Sequence, residues 1–166
     1  MDRHERGMLT AVAATHVTTG APVMVPLEHG SAAHEVLDVL EADGVRPERV
    51  VLAHVDRNLD AGLHGELAAR GAFLGYDGMA RHREAPDSAI IECLASVVAA
   101  GHGAQPVLGG DVARRSRYLS YGGMPGLAYL PERFVPRLVE RIGRGAVDRL
   151  LVPNPAAWLA FEPTAG

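Results

Sequence analysis

The strongest constraint on the fold is a strand-then-helix unit that recurs about four times along the chain. Each unit starts with a short apolar run and continues into an amphipathic segment bounded by Gly or Pro, a pattern that predicts a buried strand and a surface helix. Ser31 is the predicted N-cap of the second helix. The predicted strands cover residues 22–27, 49–55, 72–77 and 106–111. The predicted helices cover residues 3–19, 31–43, 59–70, 86–100, 131–141 and 154–159.

Apolar strands that alternate with helices indicate a parallel sheet covered by helices. Two arrangements satisfy this pattern, an open doubly wound sheet and part of a (β/α)8 barrel. The glycine-rich and lysine-containing phosphate loops of nucleotide-binding open sheets are both absent from the sequence. A whole barrel needs about 200 residues or more, so four units in 166 residues make half of one. We therefore predict an α/β fold, a partial (β/α)8 TIM barrel, as one domain over residues 1–166.

The composition and charge of the chain limit the classes of function that it can have. The net charge of −4 offers no bulk attraction to nucleic acid or to an anionic membrane, and no apolar run approaches the roughly 20 residues of a membrane span. Residues 1–16 lack the apolar core of a signal peptide. Cys93 is the only cysteine, and a chain with a single cysteine is typical of a reducing, cytoplasmic setting. Because Cys93 lies on a predicted apolar helix, we expect it to be a buried thiol. All sixteen basic residues are arginine, so the chain cannot supply a carboxylated lysine.

Three polar side chains lie at the C-terminal ends of predicted strands, namely His54, Asp77 and Asp111. In parallel α/β folds this edge is where sites are built, because the loops diverge there and the side chains converge. An imidazole and a carboxylate at such an edge match the ligand preference of zinc. Each residue taken singly also fits a structural role as a helix cap or hydrogen-bond partner. Their placement on successive strands favours a site.

The same strands, in order and at the family's spacing, resemble the fifth to eighth barrel strands of the phosphotriesterase family in the amidohydrolase superfamily. The segments that carry this resemblance are Thr19–Val25, Gly44–Asp56, Leu67–Asp77 and Val107–Asp111, followed by Phe134–Leu138 and Asn154–Ala156. The resemblance implies a metal-dependent hydrolase that acts on ester-type bonds, either a phosphoester or a lactone. It also implies zinc or a similar divalent metal, which makes a hydroxide available near neutral pH.

The resemblance implies a role for two residues. His54 matches a metal ligand, and Asp111 matches the carboxylate that is both a metal ligand and the catalytic base. Pro26 stands where the family has a further histidine, and the family's remaining ligands would precede Met1. A catalytic zinc normally has three protein ligands, so the chain alone is expected to be weak or inactive. Glu28, two residues after Pro26 on the same predicted strand face, either completes a mononuclear site or is an exposed carboxylate.

Charged residues that follow these strands are candidates for substrate binding. Asp77, Arg81 and Arg114 are the predicted contacts, and His82 lies in the same loop as Arg81. A guanidinium group binds carboxylate or phosphate through paired hydrogen bonds, so an anionic small-molecule ester would suit the two arginines. The alternative for all of them is a solvated surface that pairs with nearby acids.

The predicted half-barrel has two open sheet edges, at Val23–Leu27 and at Val107–Gly110. Both edges are apolar and almost without charge, which makes them templates for pairing with another chain. The inner faces of residues 50–54 and 73–77 are also expected to lose their cover. We therefore predict a homodimer or a complex with a complementary half-barrel. The alternative to an enzyme is a non-catalytic remnant or a subunit that needs a partner half to close the fold.

Overall fold

The computed structural model describes residues 1–81 and 84–162. Four strands are present: β1 (Val23–Pro26), β2 (Val50–Ala53), β3 (Phe73–Tyr76) and β4 (Pro106–Leu108). The α-helices are α1 (Arg3–Thr19), α2 (Ala33–Ala42), α3 (Ala61–Ala69), α4 (Asp87–Val97), α5 (Val135–Ile142), α6 (Arg144–Leu151) and α7 (Pro153–Leu159). None of the helices in the described part of the chain has the length and apolar character needed to cross a membrane.

The four strands form one parallel sheet in the order β1-β2-β3-β4. Val25 pairs with Leu52, and Leu52 pairs with Leu74, so the strands run in close register. Each strand therefore lies beside the next one in the sequence, and the helix between them crosses back over the sheet. The predicted α/β fold with a parallel four-stranded sheet is confirmed.

Local signals explain where several helices begin and end. Asp2 and Glu5 form a capping box at the start of α1, and Gly20 ends that helix in the left-handed conformation. The Asp60 carboxylate accepts hydrogen bonds from the first backbone N–H groups of α3. The prediction that Ser31 caps α2 is wrong, because the N-cap is Ala32 and the Ser31 hydroxyl donates to the Glu28 carbonyl instead.

The main core lies between the sheet and the helices. Its largest fully buried aliphatic and aromatic side chains include Leu37, Leu40, Leu52, Leu74, Ile90, Leu94, Phe134, Leu138 and Leu150. All residues of β2 and β3 are buried. The expectation that the inner faces of these two strands lose their cover is therefore wrong. The exposed apolar side chains lie elsewhere, on α1, on β1, at the end of α7 and in loops.

The strands are shorter than the apolar runs that predict them. β1 ends at Pro26, β2 at Ala53 and β4 at Leu108, so Glu28, His54 and Asp111 all lie beyond the last strand residue. The prediction that Glu28 shares a strand face with Pro26 is wrong, because Glu28 begins a short 3-10 turn, Glu28–Gly30. Helix α6 was not predicted. It follows Gly143 and contains Gly145, and glycine disfavours a helix.

Candidate functional site

A polar cleft of about 540 Å³ lies at the carboxyl end of the sheet, where the segments that follow the four strands come together. It is lined by Glu28, His29, His54, Arg57, Arg81, Glu84, Asp111, Ala113, Arg114 and Arg117. Five of the six candidate residues predicted from the sequence, all except Asp77, therefore reach one cleft. His82 is outside the described residues. The carboxyl edge of a parallel sheet is where such clefts form.

His54 is the mostly buried imidazole of the cleft, and Asp77 holds its ring. The His54 Nδ1 atom lies 2.6 Å from Asp77 Oδ1, a short distance typical of a charge-assisted hydrogen bond. Asp77 does not line the cleft, and its carboxylate instead supports His54 from behind. A carboxylate on one ring nitrogen fixes the orientation of the imidazole and leaves the other nitrogen for a metal or a proton.

Asp56 is the buried carboxylate beneath this pair, and only 3% of its surface is exposed. Its Oδ2 accepts hydrogen bonds from the backbone N–H groups of Asp77 (2.9 Å) and Gly78 (2.6 Å). Its Oδ1 is buried and has no hydrogen-bond partner among the described residues. Burial, reinforced by the nearby Asp77 charge, raises the pKa of Asp56 to about 6. Asp56 therefore fixes the backbone at Asp77 and Gly78, and the Asp77 carboxylate then holds His54.

Gly78 permits this anchor to form. A Cβ atom added at Gly78 would lie 3.0 Å from Asp56 Oδ2, which is tighter than most contacts of this kind. The absence of a side chain thus lets the backbone N–H of residue 78 approach the buried carboxylate. Sequence reasoning missed Asp56. The sequence feature that could have indicated Asp56 is its position two residues after His54 and three residues after the end of the apolar strand β2.

Asp111, the predicted base and metal ligand, forms an ion pair with Arg81 through Oδ2 and Nη2. Both side chains are largely buried. Burial and, to a smaller extent, repulsion from Arg117 lower the pKa of the Arg81 guanidinium. Arg81 is thus a neighbour of the predicted base, and its Nε is a buried donor without a hydrogen-bond partner among residues 1–81 and 84–162.

Arginine outnumbers acid in the cleft lining. Four guanidinium groups, Arg57, Arg81, Arg114 and Arg117, face three carboxylates, Glu28, Glu84 and Asp111. Arg57 lies 3.5 Å from Glu28 and 3.8 Å from Glu84, whereas no ion pair joins Arg114 or Arg117 to a carboxylate of the described chain. The cleft therefore keeps positive charge that an anionic ligand can neutralise.

Unusual backbone geometry marks the same cleft. His29, His54 and Asp111 all have positive φ angles, of 52°, 63° and 39°. A residue with a side chain rarely adopts this conformation, and the surrounding structure must hold it there. Such positions cluster at functional sites, so the backbone independently supports the cleft as the candidate site. The sequence carries no signal for these angles.

The predicted metal site requires His54, Asp111 and Glu28 to act together. In the described part of the chain, no group of three or more His, Cys, Asp or Glu side chains is arranged to hold a metal ion. Asp111 is paired with Arg81, and Glu28 with Arg57. The side chains of residues 1–81 and 84–162 therefore do not by themselves fit the metal centre that the family resemblance implies.

A second polar cluster lies behind the cleft, within the core. The buried imidazole of His64 donates from Nε2 to the Val55 carbonyl at 3.1 Å, and its Nδ1 accepts from the Tyr76 hydroxyl at 2.7 Å. Burial lowers the pKa of His64 and raises that of the adjacent Cys93 thiol to about 11. The cluster is a neutral hydrogen-bonded network, and Cys93 is the buried thiol that the sequence predicts.

Comparison with known proteins decides the family, since the model of the phosphotriesterase family matches residues 1–159. The chain belongs to the phosphotriesterase family. It is 32% identical to a phospho-furanose lactonase of Mycoplasmopsis agalactiae, over 98% of this chain and 48% of that protein. It is 30% identical to an N-acetyltaurine hydrolase of Salmo salar, over 95% of this chain and 49% of that protein. The chain thus spans about half the length of the curated relatives it matches.

Comparison with solved structures agrees with the family match. A lactonase from Listeria monocytogenes superposes with a TM-score of 0.93 at 34% identity, over 97% of this chain and 51% of that one. A phosphotriesterase homology protein from Escherichia coli, complexed with phosphate in its active site, superposes with a TM-score of 0.91 at 27% identity, over 96% and 55%. The fold therefore matches about half of larger hydrolase-family structures.

Proposed function

We propose that this chain forms one half of a (β/α)8 barrel and carries one half of the site of a metal-dependent hydrolase. The proposed reaction is hydrolysis of an ester-type bond, in a lactone or a phosphoester. The substrate is a small molecule that carries an anionic group. Zinc or a similar divalent ion is the expected cofactor, because members of this family typically depend on divalent metals. His54 and Asp111 are the two ligands that this half would offer, and Asp111 is the proposed catalytic base.

The observation that carries the proposal is the orientation of His54 in an arginine-rich cleft. The Asp77 carboxylate holds His54 Nδ1, which leaves the second ring nitrogen available on the cleft side. This is the arrangement by which proteins commonly prepare a metal-binding histidine. Asp111 lies in the same cleft, where its pairing with Arg81 keeps the carboxylate in place. Because the described residues supply no third ligand, they do not by themselves account for a catalytic step.

The anionic group of the substrate is inferred from Arg114 and Arg117. Both line the cleft without a carboxylate partner in the described chain, and their planar guanidinium groups suit phosphate or carboxylate. Two relatives support this choice, since one is a phospho-furanose lactonase and another holds phosphate in its active site. Glu28 and Arg57 would border the same substrate from the β1 side of the cleft.

The test separates anion binding from catalysis. Inorganic phosphate should bind the chain, as measured by titration calorimetry, and Arg114→Gln should weaken binding severalfold. Arg149→Gln, which changes an exposed arginine on α6, is the matched control and should bind as the unmodified chain does. Equal effects of the two substitutions would reject the cleft as the anion site. Lactone and paraoxon hydrolysis by the chain alone should be near background, and Pro26→His alone should not restore it.

The second candidate is a non-catalytic remnant or a half-barrel subunit. The observation in its favour is that the described residues contain no group of three ligands, and that Asp111 is already neutralised by Arg81. The two candidates differ in what a complementary half would produce. A completed site should hydrolyse an anionic lactone and lose that activity in Asp111→Asn, whereas a remnant should stay inactive in any complex.

A further inference from the structure

Asp87, the first residue of α4, is a buried carboxylate that does not line the cleft. Only 3% of its surface is exposed, and its two oxygens accept hydrogen bonds from two different loops. We infer that Asp87 is a positioning residue that holds Arg81 and Arg117 at a fixed separation across the cleft. Its role in substrate binding rests on the proposed function, whereas its contacts with the two loops follow from the fold.

The first oxygen of Asp87 fixes the turn after β3. Its Oδ1 accepts a hydrogen bond from the Ala80 N–H at 2.9 Å. Ala80 has a φ angle of 62°, a left-handed conformation that the surrounding structure must hold in place. Because Ala80 directly precedes Arg81, its backbone sets the direction in which the Arg81 side chain leaves the turn. Arg81 then pairs with Asp111, the proposed base, so this contact of Asp87 also helps to place Asp111.

The second oxygen of Asp87 holds the loop after β4. Its Oδ2 accepts a hydrogen bond from the Tyr129 hydroxyl at 2.7 Å. The Tyr129 N–H donates to the Gly126 carbonyl at 3.3 Å, and the Gly126 N–H donates to the Arg117 carbonyl at 2.9 Å. Gly126 has a φ angle of 84°, and a Cβ atom there would lie 2.7 Å from Leu119 Cγ, so this close turn requires glycine. Hydrogen bonds therefore connect Asp87 to the backbone of Arg117.

The two arginines that these loops carry repel each other. Arg81 and Arg117 both line the cleft, and the Arg117 charge adds to burial in lowering the pKa of the Arg81 guanidinium. Like charges at short range drive their loops apart unless other contacts hold them. A shared carboxylate behind both loops opposes this separation. A bound anion then meets guanidinium groups that are already in place, which lowers the entropy cost of binding.

The packing of α4 on α5 does not by itself explain Asp87. The Arg137 side chain of α5 lies 3.2 Å from Asp87 Oδ2 and helps to neutralise the buried carboxylate. The same two helices are also joined by Glu92, whose two oxygens accept from Arg141 at 2.8 and 2.9 Å. Glu92 is exposed and has no listed role in either loop, so it offers a matched control for the loop contacts of Asp87.

Hydrogen exchange of the full chain without ligand, followed by mass spectrometry, tests the link between the loops. Asp87→Ala should speed exchange in residues 78–81 and 117–126, while β2 and β3 keep their protection. Glu92→Ala, on the same helix, should leave both segments as they are in the unmodified chain. Tyr129→Phe keeps the aromatic ring and removes only the hydroxyl, so it should speed exchange in residues 117–126 alone.

Titration calorimetry with inorganic phosphate tests the use of this link. Tyr129→Phe should weaken phosphate binding by about fivefold, the scale of one lost hydrogen bond. Glu92→Ala should bind phosphate as the unmodified chain does. Since Tyr129 acts through Arg117, the same substitution in an Arg117→Gln background should cause little further loss. A merely structural defect would weaken binding equally in both backgrounds.

The outcomes separate this inference from the proposed function. Faster exchange throughout the chain in Asp87→Ala, or in only one of the two segments, would overturn the link. Phosphate binding that Tyr129→Phe leaves unchanged, or weakens equally with and without Arg117→Gln, would overturn the positioning role. If the unmodified chain bound no phosphate, the proposed anion site would be rejected, and the exchange results would still decide whether Asp87 links the two loops.

Discussion

Replacement of Asp56 by asparagine should change how the stability of the protein depends on pH. The Asp56 carboxyl is buried and receives two backbone hydrogen bonds, but one of its oxygens has no partner in the described chain. Burial, with the Asp77 charge, raises its pKa from 3.8 to about 6. Ionised Asp56 is therefore less favourable in the folded protein than in the unfolded chain.

The direction of this pH dependence follows from the linkage between proton binding and folding. A carboxyl whose pKa is raised on folding binds more protons in the native state, so its contribution to stability is full below pH 3.8 and is lost as the pH rises through about 6. A shift of about 2 pKa units corresponds to a total loss of about 3 kcal/mol. About half of that loss, roughly 1.5 kcal/mol, falls between pH 5 and pH 8.

Urea unfolding of the unmodified chain and of Asp56→Asn at these two pH values measures this difference. The free energy of unfolding of the unmodified chain should fall by about 1.5 kcal/mol more than that of the variant. Asp43→Asn, at an exposed aspartate, is the control and should follow the unmodified chain. Parallel pH dependence of the unmodified chain and Asp56→Asn would refute the assignment of a raised pKa to this carboxyl.

Three further predictions concern the core. Tyr76→Phe removes the hydroxyl that donates to His64 and should lower the free energy of unfolding by about 1–2 kcal/mol; an unchanged value would mean that this bond contributes nothing. Asn154→Ala leaves two backbone carbonyls without their donor and should destabilise by about 2–4 kcal/mol in the same assay, whereas a loss below 1 would contradict it. Cys93, with a pKa of about 11, should resist thiol reagents at pH 8 until denaturant is added; fast labelling of the folded protein would disprove its burial.

The strand pattern made the sheet predictable. Short apolar runs separated by amphipathic segments define parallel strands, because both faces of such a strand are buried. The same pattern overestimated strand length, since it cannot tell a strand residue from the turn that follows. His54 and Asp111 look like strand ends in the sequence, yet each has left-handed backbone and turns into the cleft.

The site was only partly predictable. The carboxyl edge of the sheet gathers side chains by topology alone, so the shared cleft of His54, Arg81 and Asp111 could be expected. The partners within it could not, because the Arg81–Asp111 ion pair and the support of Asp77 from the buried Asp56 depend on loop conformation. Sequence periodicity describes strands and helices and carries no such information.

Metal content tests the central claim most directly. If this chain carries only half of a metal site, dialysis against zinc followed by elemental analysis should leave the purified chain with well under one ion. The complex with a complementary half should retain zinc, and His54→Ala or Asp111→Asn should reduce that retention. Two tightly held ions per isolated chain, lost on substitution of His54 or Asp111, would contradict the account.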